Sequence, residues 1–596
     1  DILPATGFLA RNYYLFNRTT WLDDTLEHTS KAFLGLTLNC CKCHDHKYDP
    51  LTQHDYYAMR AIFEPHQVRL DRVDGETDLA RDGLPRVFDA HPDALTYLHK
   101  KGDPNQPDTS QVIAPQVPEF LRTSAFAVES LTLPAEAARP ELKAAFWRDE
   151  LAAAHRQLAD VTNVLSRQLS DTDTSADGRE RELTLAKCEA DVQAAALRLP
   201  FLIHARRWVV ASATEAADLD SLLSTAAQAS KTLELAKTEA ALAAANLRQL
   251  KEPAAADEIK QLTQTLQTQR EAAPDFVAAE RRLRASLKAL EGPDEKEDSR
   301  LARYPSVSTG RRSAFANWIT DRRNPLTARV AVNHIWLRHF GQPLVASVDD
   351  FGRRCPAPPQ QQLLDWLAVY LMDHDWQMKP LHRLIVTSQA YQRITLDAAH
   401  GQLASVDPNN DFYTYRIPQR MESQAVRDSL LLLSGQLTTT VGGPTIDPRQ
   451  DVPPFRRSLY FTHSRDDQHE LLSMFDDADI LRCYRRQETV LPQQALALTN
   501  SKLVLERAAD IAANIESDAS AAASSESDND VHDRAFAAHA FRVLLCREPT
   551  AVELDASCQA LDKWRAILTD EADAARASRE RLIHALLNHN DFVTIR

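Results

Sequence analysis

Between residues 133 and 292 the apolar positions return at alternating intervals of three and four, as in Leu151, Ala154, Leu158, Val161 and Leu165. That period keeps one helix face apolar and is the pattern of a coiled-coil seam. Ala, Leu, Glu, Lys, Arg and Gln dominate the stretch. It predicts helices near 141–170, 179–199, 210–251 and 255–291 that fold back on one another, broken between Asp171 and Asp177 and at Pro253. Upstream, DTLEHTSKAFLGLTL (24–38) places Leu26, Phe33, Leu34 and Leu38 on or near one stripe, and HDYYAMRAIF (54–63) predicts a shorter helix. Residues 67–132 carry no such row; GDPNQPDTSQVIAPQVPEFL (102–121) reads as an extended strap with too little apolar content for a domain of its own.

From Arg303 the pattern turns globular. A Ser308/Thr309 cap precedes a helix carrying Phe315, Trp318 and Ile319, which Asn324-Pro325 breaks. Val330, His334, Leu337 and Arg338 share spacings of three and four on the next helix. QQQLLDWLAVYLMDHDW, PLHRLIVTSQAYQ and MESQAVRDSLLLLSGQL predict three more amphipathic helices, Leu459–Thr462 a strand, and Leu505–Asn514, Val531–Leu545 and Arg579–Leu587 further helices. The Ser/Asp/Ala-rich SDASAAASSESDND reads as a disordered loop. The expected fold is therefore mainly α. It comprises a cysteine-bearing helical segment (1–66), a Pro-rich connection (67–132), a coiled-coil arm (133–292), a charged linker (293–302) and a C-terminal helical domain (303–596).

Composition narrows the partners. The chain has 596 residues, 44% of them apolar, with 14 Gly against 30 Pro, which suits helices stopped by prolines better than a turn-rich β protein. A net charge of −15 gives no overall field to attract nucleic acid. No run of apolar residues approaches the length of a bilayer span. Eight cysteines in so long a chain do not make a disulfide scaffold; Cys355, Cys483, Cys546 and Cys558 either pair or stay as buried thiols. The chain starts at Asp1 without a charged-then-apolar leader, and a start inside a longer protein is expected.

The candidate chemistry lies in LGLTLNCCKCHDHKYDP. Cys40, Cys43 and His44 have the C-x-x-C-H spacing of covalent c-type haem attachment. Two thiols must reach two vinyl groups on one porphyrin edge while the next side chain reaches the iron, so His44 is the expected proximal ligand. For a further ligand His46, His54, Met59 and His66 are the candidates; His46, with Asp45 and Asp49, is alternatively placed to hold a second ion or to orient the proximal ring. Phe8, Tyr13, Tyr14, Phe16 and Trp21 supply either an apolar pocket wall or simple core. The alternatives are a zinc site using Cys40 or Cys41, Cys43 and His44 or His46, for which the chain offers no second C-x-x-C or H-x-x-x-H pair, and a redox disulfide between Cys40 and Cys43.

Several blocks resemble a known family. FLGLTLNCCKCHDHKYDPLTQHDYY is similar to the end of the first signature domain of the planctomycete cytochrome c-like proteins. GRRSAFANWITDRRNPLTARVAVNHIWLRHFGQPLV, LLDWLAVYLMDHDWQMKPLHRLIVTSQAYQ, RRSLYFTHS and QALALTN resemble the second. The chain departs from the family pattern at Phe475-Asp476-Asp477-Ala478-Asp479 and at Val490-Leu491-Pro492-Gln493. The resemblance implies haem and export to the periplasm or beyond, but names no reaction. The leading expectation is an extracytoplasmic haem c protein that passes electrons from an upstream cytochrome domain or to another redox partner, its helical arm docking a partner or joining copies of the chain. A second is a secreted binding or scaffold protein, with polysaccharide or a secreted protein as partner and aromatics such as Trp366 and Trp376 as contact residues. A third is a hydrolase centred on Asn333, His334, Asp350 and His382.

Overall fold

Gly35, with φ at +59°, ends the helix Arg18–Leu34. A side chain is strained at that backbone angle, and a Cβ there would fall 2.7 Å from the Phe351 ring. The computed structural model thus stops this helix four residues short of Leu38, and the cysteine segment follows an irregular bend instead of continuing a helix end. The structure describes residues 7–10, 17–79, 81–122, 125–170, 178–214, 216–276, 283, 286–288, 304–393, 395, 405–464, 467–479, 484–486, 488–522, 529–568 and 573–595. Over these the protein is mainly α, as its hydrophobic periodicity predicts, and its strands are short. It divides into two compact units, one of residues 1–26, 41–45 and 51–318, the other of residues 27–40, 46–50 and 319–596.

In the first unit the helix Gln53–Phe63 starts at a capping box, Thr52 and Asp55 each satisfying the other's backbone N–H. The Pro-rich connection contains more regular structure than its composition suggests. Strand β1 (His66–Arg72) pairs antiparallel with β2 (Gly83–Asp89), in the register His66 opposite Asp89, and on its other edge with Ser286–Lys288. Strands β3 (Thr96–His99) and β4 (Pro107–Ile113) form a second antiparallel pair. The arm consists of the helices Ala144–Ser170, Gly178–Ala213, Leu219–Gln249 and Ala255–Glu271. Its seam is visible in the burial: from 155 to 167 only Leu158, Val161 and Leu165 are withdrawn from solvent. Phe146, Trp147, Phe201, Leu202, Val209 and Phe276 belong to one core cluster of this arm.

In the second unit, the helices Thr327–Phe340, Gln361–Asp373 and Met378–Val386 enclose one core around Trp336, Leu364 and Leu381. The helices from Ser423–Leu433 to Ala574–Leu587 enclose another around Val504, Phe536 and Ile583. Leu459–Thr462 is not a continuous strand: Ser458–Tyr460 is a 3-10 turn in which Asp428 accepts both the Ser458 N–H (2.8 Å) and its hydroxyl (2.6 Å), and Phe461 forms an isolated β-bridge with Ile446. The Ser/Asp/Ala-rich segment is helical up to Ala522, and residues 523–528 of it lie outside the described residues.

Candidate functional site

Residues Asn39–Lys42 make one 3-10 turn, a geometry that brings positions three apart onto one face. Cys40 in this turn and Cys43 immediately after it are both exposed, while Cys41 between them turns inward and its thiol meets the Leu51 carbonyl at 3.6 Å. The described cysteines, Cys188, Cys355, Cys546 and Cys558 included, are free thiols, and Cys483 lies outside the described residues. His44 is exposed, and its Nδ1–H donates to the Asp45 carbonyl at 2.7 Å. A carbonyl can only accept, so this bond fixes the tautomer and leaves the Nε2 lone pair available to a ligand.

What holds Lys42, the middle of the motif, was not visible in the sequence. Its ammonium donates to Asp23 at 2.7 Å; the other Asp23 oxygen accepts from the Tyr56 hydroxyl and from Arg60, both at 2.6 Å. The Lys42 carbonyl accepts from Gln53 Nε2 (3.0 Å) and the Tyr57 hydroxyl (3.1 Å), and the same Gln53 amide reaches the His99 carbonyl at 3.2 Å. Burial pushes the Tyr57 hydroxyl up to about 12, which keeps it a donor to that carbonyl at neutral pH. Burial, followed by the charge of Arg60, lowers the pKa of His99, whose ring lies edge-on to Tyr57. Gly102, φ +76°, completes the cradle, since a Cβ there would lie 2.5 Å from the Cys43 sulfur.

The other sequence candidates take different places. His46 is committed to its own turn: Nδ1 accepts the Asp49 N–H at 2.9 Å, and Nε2 faces the Thr37 hydroxyl at 3.5 Å. Asp49 in turn accepts the Arg353 N–H at 2.7 Å, and Gly352 leaves room for that carboxylate. His54 is exposed on the first turn of its helix, and Met59 is fully buried. His66 is fully buried against Trp21, Nδ1–H to the Phe63 carbonyl and Nε2 without a hydrogen-bond partner. Burial, with Arg312 nearby, pushes its imidazole down to about 3. Trp21 is core, Phe8 is exposed, and Tyr13, Tyr14 and Phe16 lie outside the described residues. Among the described residues no group of three or more His, Cys, Asp or Glu is placed to hold a metal ion.

In the second unit Asn333, His334, Asp350 and His382 share no hydrogen bond with one another. Asn333 is spent on the backbone, accepting the Val345 N–H (2.8 Å) and donating to the Val345 carbonyl (3.2 Å). His382 bonds His339 at 2.8 Å, and Asp350 accepts the Gly352 N–H at 2.9 Å. The residues that do meet are Arg427, Asp451 and His469. Arg427 is fully buried and donates to Asp451, which also accepts His469 Nε2–H at 3.0 Å. Burial opposes the Asp451 charge, yet bonds from His469 and Arg427 hold its carboxyl down at about 2. Trp366 is 54% exposed and stacks on Tyr370, whereas Trp376 packs against the core.

Residues 2–68 match the family model PSCyt2, described as protein of unknown function (DUF1549), and residues 311–561 match PSD1, described as protein of unknown function (DUF1553). Comparison with curated proteins and with solved structures returned no match. The two matching models are the signature domains that the blocks around Cys40–His44 and Arg311–Val345 resemble. The chain belongs to the planctomycete cytochrome c-like proteins.

Proposed function

We propose that Cys40 and Cys43 carry a covalently attached haem whose iron His44 would bind, and that the protein passes electrons outside the cytoplasmic membrane. The observation that carries this reading is the sidedness of the segment: both cysteines of the C-x-x-C pair are exposed while Cys41 between them is buried. His44 supports it independently, because an imidazole that donates Nδ1–H to a carbonyl has the orientation and basicity of a metal ligand through Nε2. Once bound, the haem would supply single-electron chemistry.

The protein's own part is to hold this short segment still. Lys42 is tied by its side chain to Asp23 and by its carbonyl to Gln53 and Tyr57, so the thiols on either side of it are presented without the freedom of a loose loop. An upstream cytochrome domain or a separate redox protein is the expected electron partner. Covalent haem assembly takes place outside the cytoplasmic membrane, so the proposal carries export with it; among the described residues no helix is long and apolar enough to cross a membrane.

The test is expression through a haem-attaching export route, followed by denaturing gels stained for haem and spectra of the reduced protein. The wild type should retain colour through denaturation, and Cys40→Ala with Cys43→Ala should lose it. His44→Ala should keep the attachment but alter the iron spectrum. A wild type that is colourless, or a double variant that stays coloured, would defeat the proposal.

A further inference from the structure

The second unit contains a cavity of about 830 Å³ beside the helix Thr327–Phe340 and the strand Gln419–Arg420, a volume in the range of small-molecule sites. Although the chain is acidic overall, four arginines line this cavity: Arg338, Arg420, Arg485 and Arg486. Three acids line it too, and the balance depends on which of them are already engaged.

Glu422 serves Arg338 at 3.2 Å and Arg486 at 3.5 Å, and Arg486 also donates to Gln424 at 2.6 Å. Asp476 is occupied by the Thr489 N–H and hydroxyl, both at 2.7 Å. Arg420 and Arg485 make neither hydrogen bond nor ion pair with their side chains among the described residues, and the Arg420 Nε is buried. Glu488, exposed on the lining, is the one acid there not engaged among the described residues. For Arg420, half-buried and without an acceptor, the loss of water is destabilising unless a ligand supplies one; Arg485 is exposed beside it on the lining. The planar guanidinium fork matches a carboxylate or sulfate oxygen pair. Leu337, Met421, Phe475 and Ile595 give the same cavity an apolar side, with the Arg420 guanidinium 5.9 Å from the Phe475 ring centre.

We propose that this cavity binds an organic anion: a carboxylate or sulfonate-type oxyanion held by Arg420 and Arg485, on an apolar body that covers Phe475. The proposal is independent of haem attachment.

The test is calorimetric titration of the full chain with benzoate, benzenesulfonate and neutral benzyl alcohol. One or both anions should bind, and benzyl alcohol should bind at least about 10-fold more weakly. Benzoate alone would identify a carboxylate site and benzenesulfonate alone a sulfonate or sulfate site. Arg420→Gln and Arg485→Gln should each weaken anion binding by about 10-fold or more, while Arg449→Gln, at an exposed pair with Asp447, should not. Arg485 is exposed, so its variant tests the site even if Arg420→Gln fails to fold. Failure of both anions to bind, equal binding of benzyl alcohol, or undiminished binding in Arg485→Gln would overturn the proposal.

Discussion

Asp23 receives Lys42, Tyr56 and Arg60 on its two oxygens, so one carboxylate links the centre of the cysteine motif to the helix behind it. Nearby in the same unit, His66 is a single residue whose environment sets a pH response. Its ring stays neutral in the fold down to about pH 3, whereas the unfolded chain takes up that proton near 6.5. Between those values the unfolded state binds more protons. The contribution is therefore complete above about 6.5 and is lost as pH falls toward 3, by at most about 1.4 kcal/mol per pH unit. Urea midpoints measured from neutral pH to about pH 4 should fall more steeply in the wild type than in His66→Asn; identical slopes would remove His66 from the account. At this scale the sequence exposes the chemistry but not its support. Cys40, Cys43 and His44 are legible because the haem attachment proposed for them is read from local spacing alone. Asp23, Tyr57 and His99 are not, because each acquires its role only when distant segments pack together.

Gly102 belongs to a 3-10 turn at the end of β3, and that turn lies against the Cys43 sulfur. Gly102→Ala should destabilise the first unit by roughly 1–3 kcal/mol through its positive φ, and should lower the yield of covalent haem by displacing Cys43. A wild-type melting temperature and haem yield would show that the turn has no such role. Other elements show where periodicity succeeds and fails. The arm helices are legible from their seam, but two of their bounds are not: the last helix ends at Glu271 instead of reaching 291, Ser286–Lys288 being a strand, and the helix Gly178–Ala213 runs through Pro200. An interior proline costs about 3 kcal/mol. Burying Phe201, Leu202 and Val209 immediately beyond it contributes roughly 1.5–3 kcal/mol each, enough to offset that. Strand β1 is hidden for a different reason. Gln67, Arg69 and Asp71 alternate with Val68 and Leu70 as a strand requires, but the polar face is buried too, with Arg69 paired to Asp71 at 2.8 Å and stacked on Tyr304. A buried ion pair looks like surface in a hydropathy pattern.

For the molecule as a whole, the two family matches cover the cysteine segment and much of the C-terminal helices. The mainly α architecture follows from periodicities that composition alone already favoured. The proposed function depends on a much smaller feature, two exposed thiols and one oriented imidazole in five consecutive residues. The most direct measurement is the mass of the proteolytic peptide containing Asn39–His44 from protein exported by a haem-attaching host. The proposal predicts that this peptide carries one haem through Cys40 and Cys43. Recovery of the peptide with both thiols free, or joined to each other as a disulfide, would contradict it.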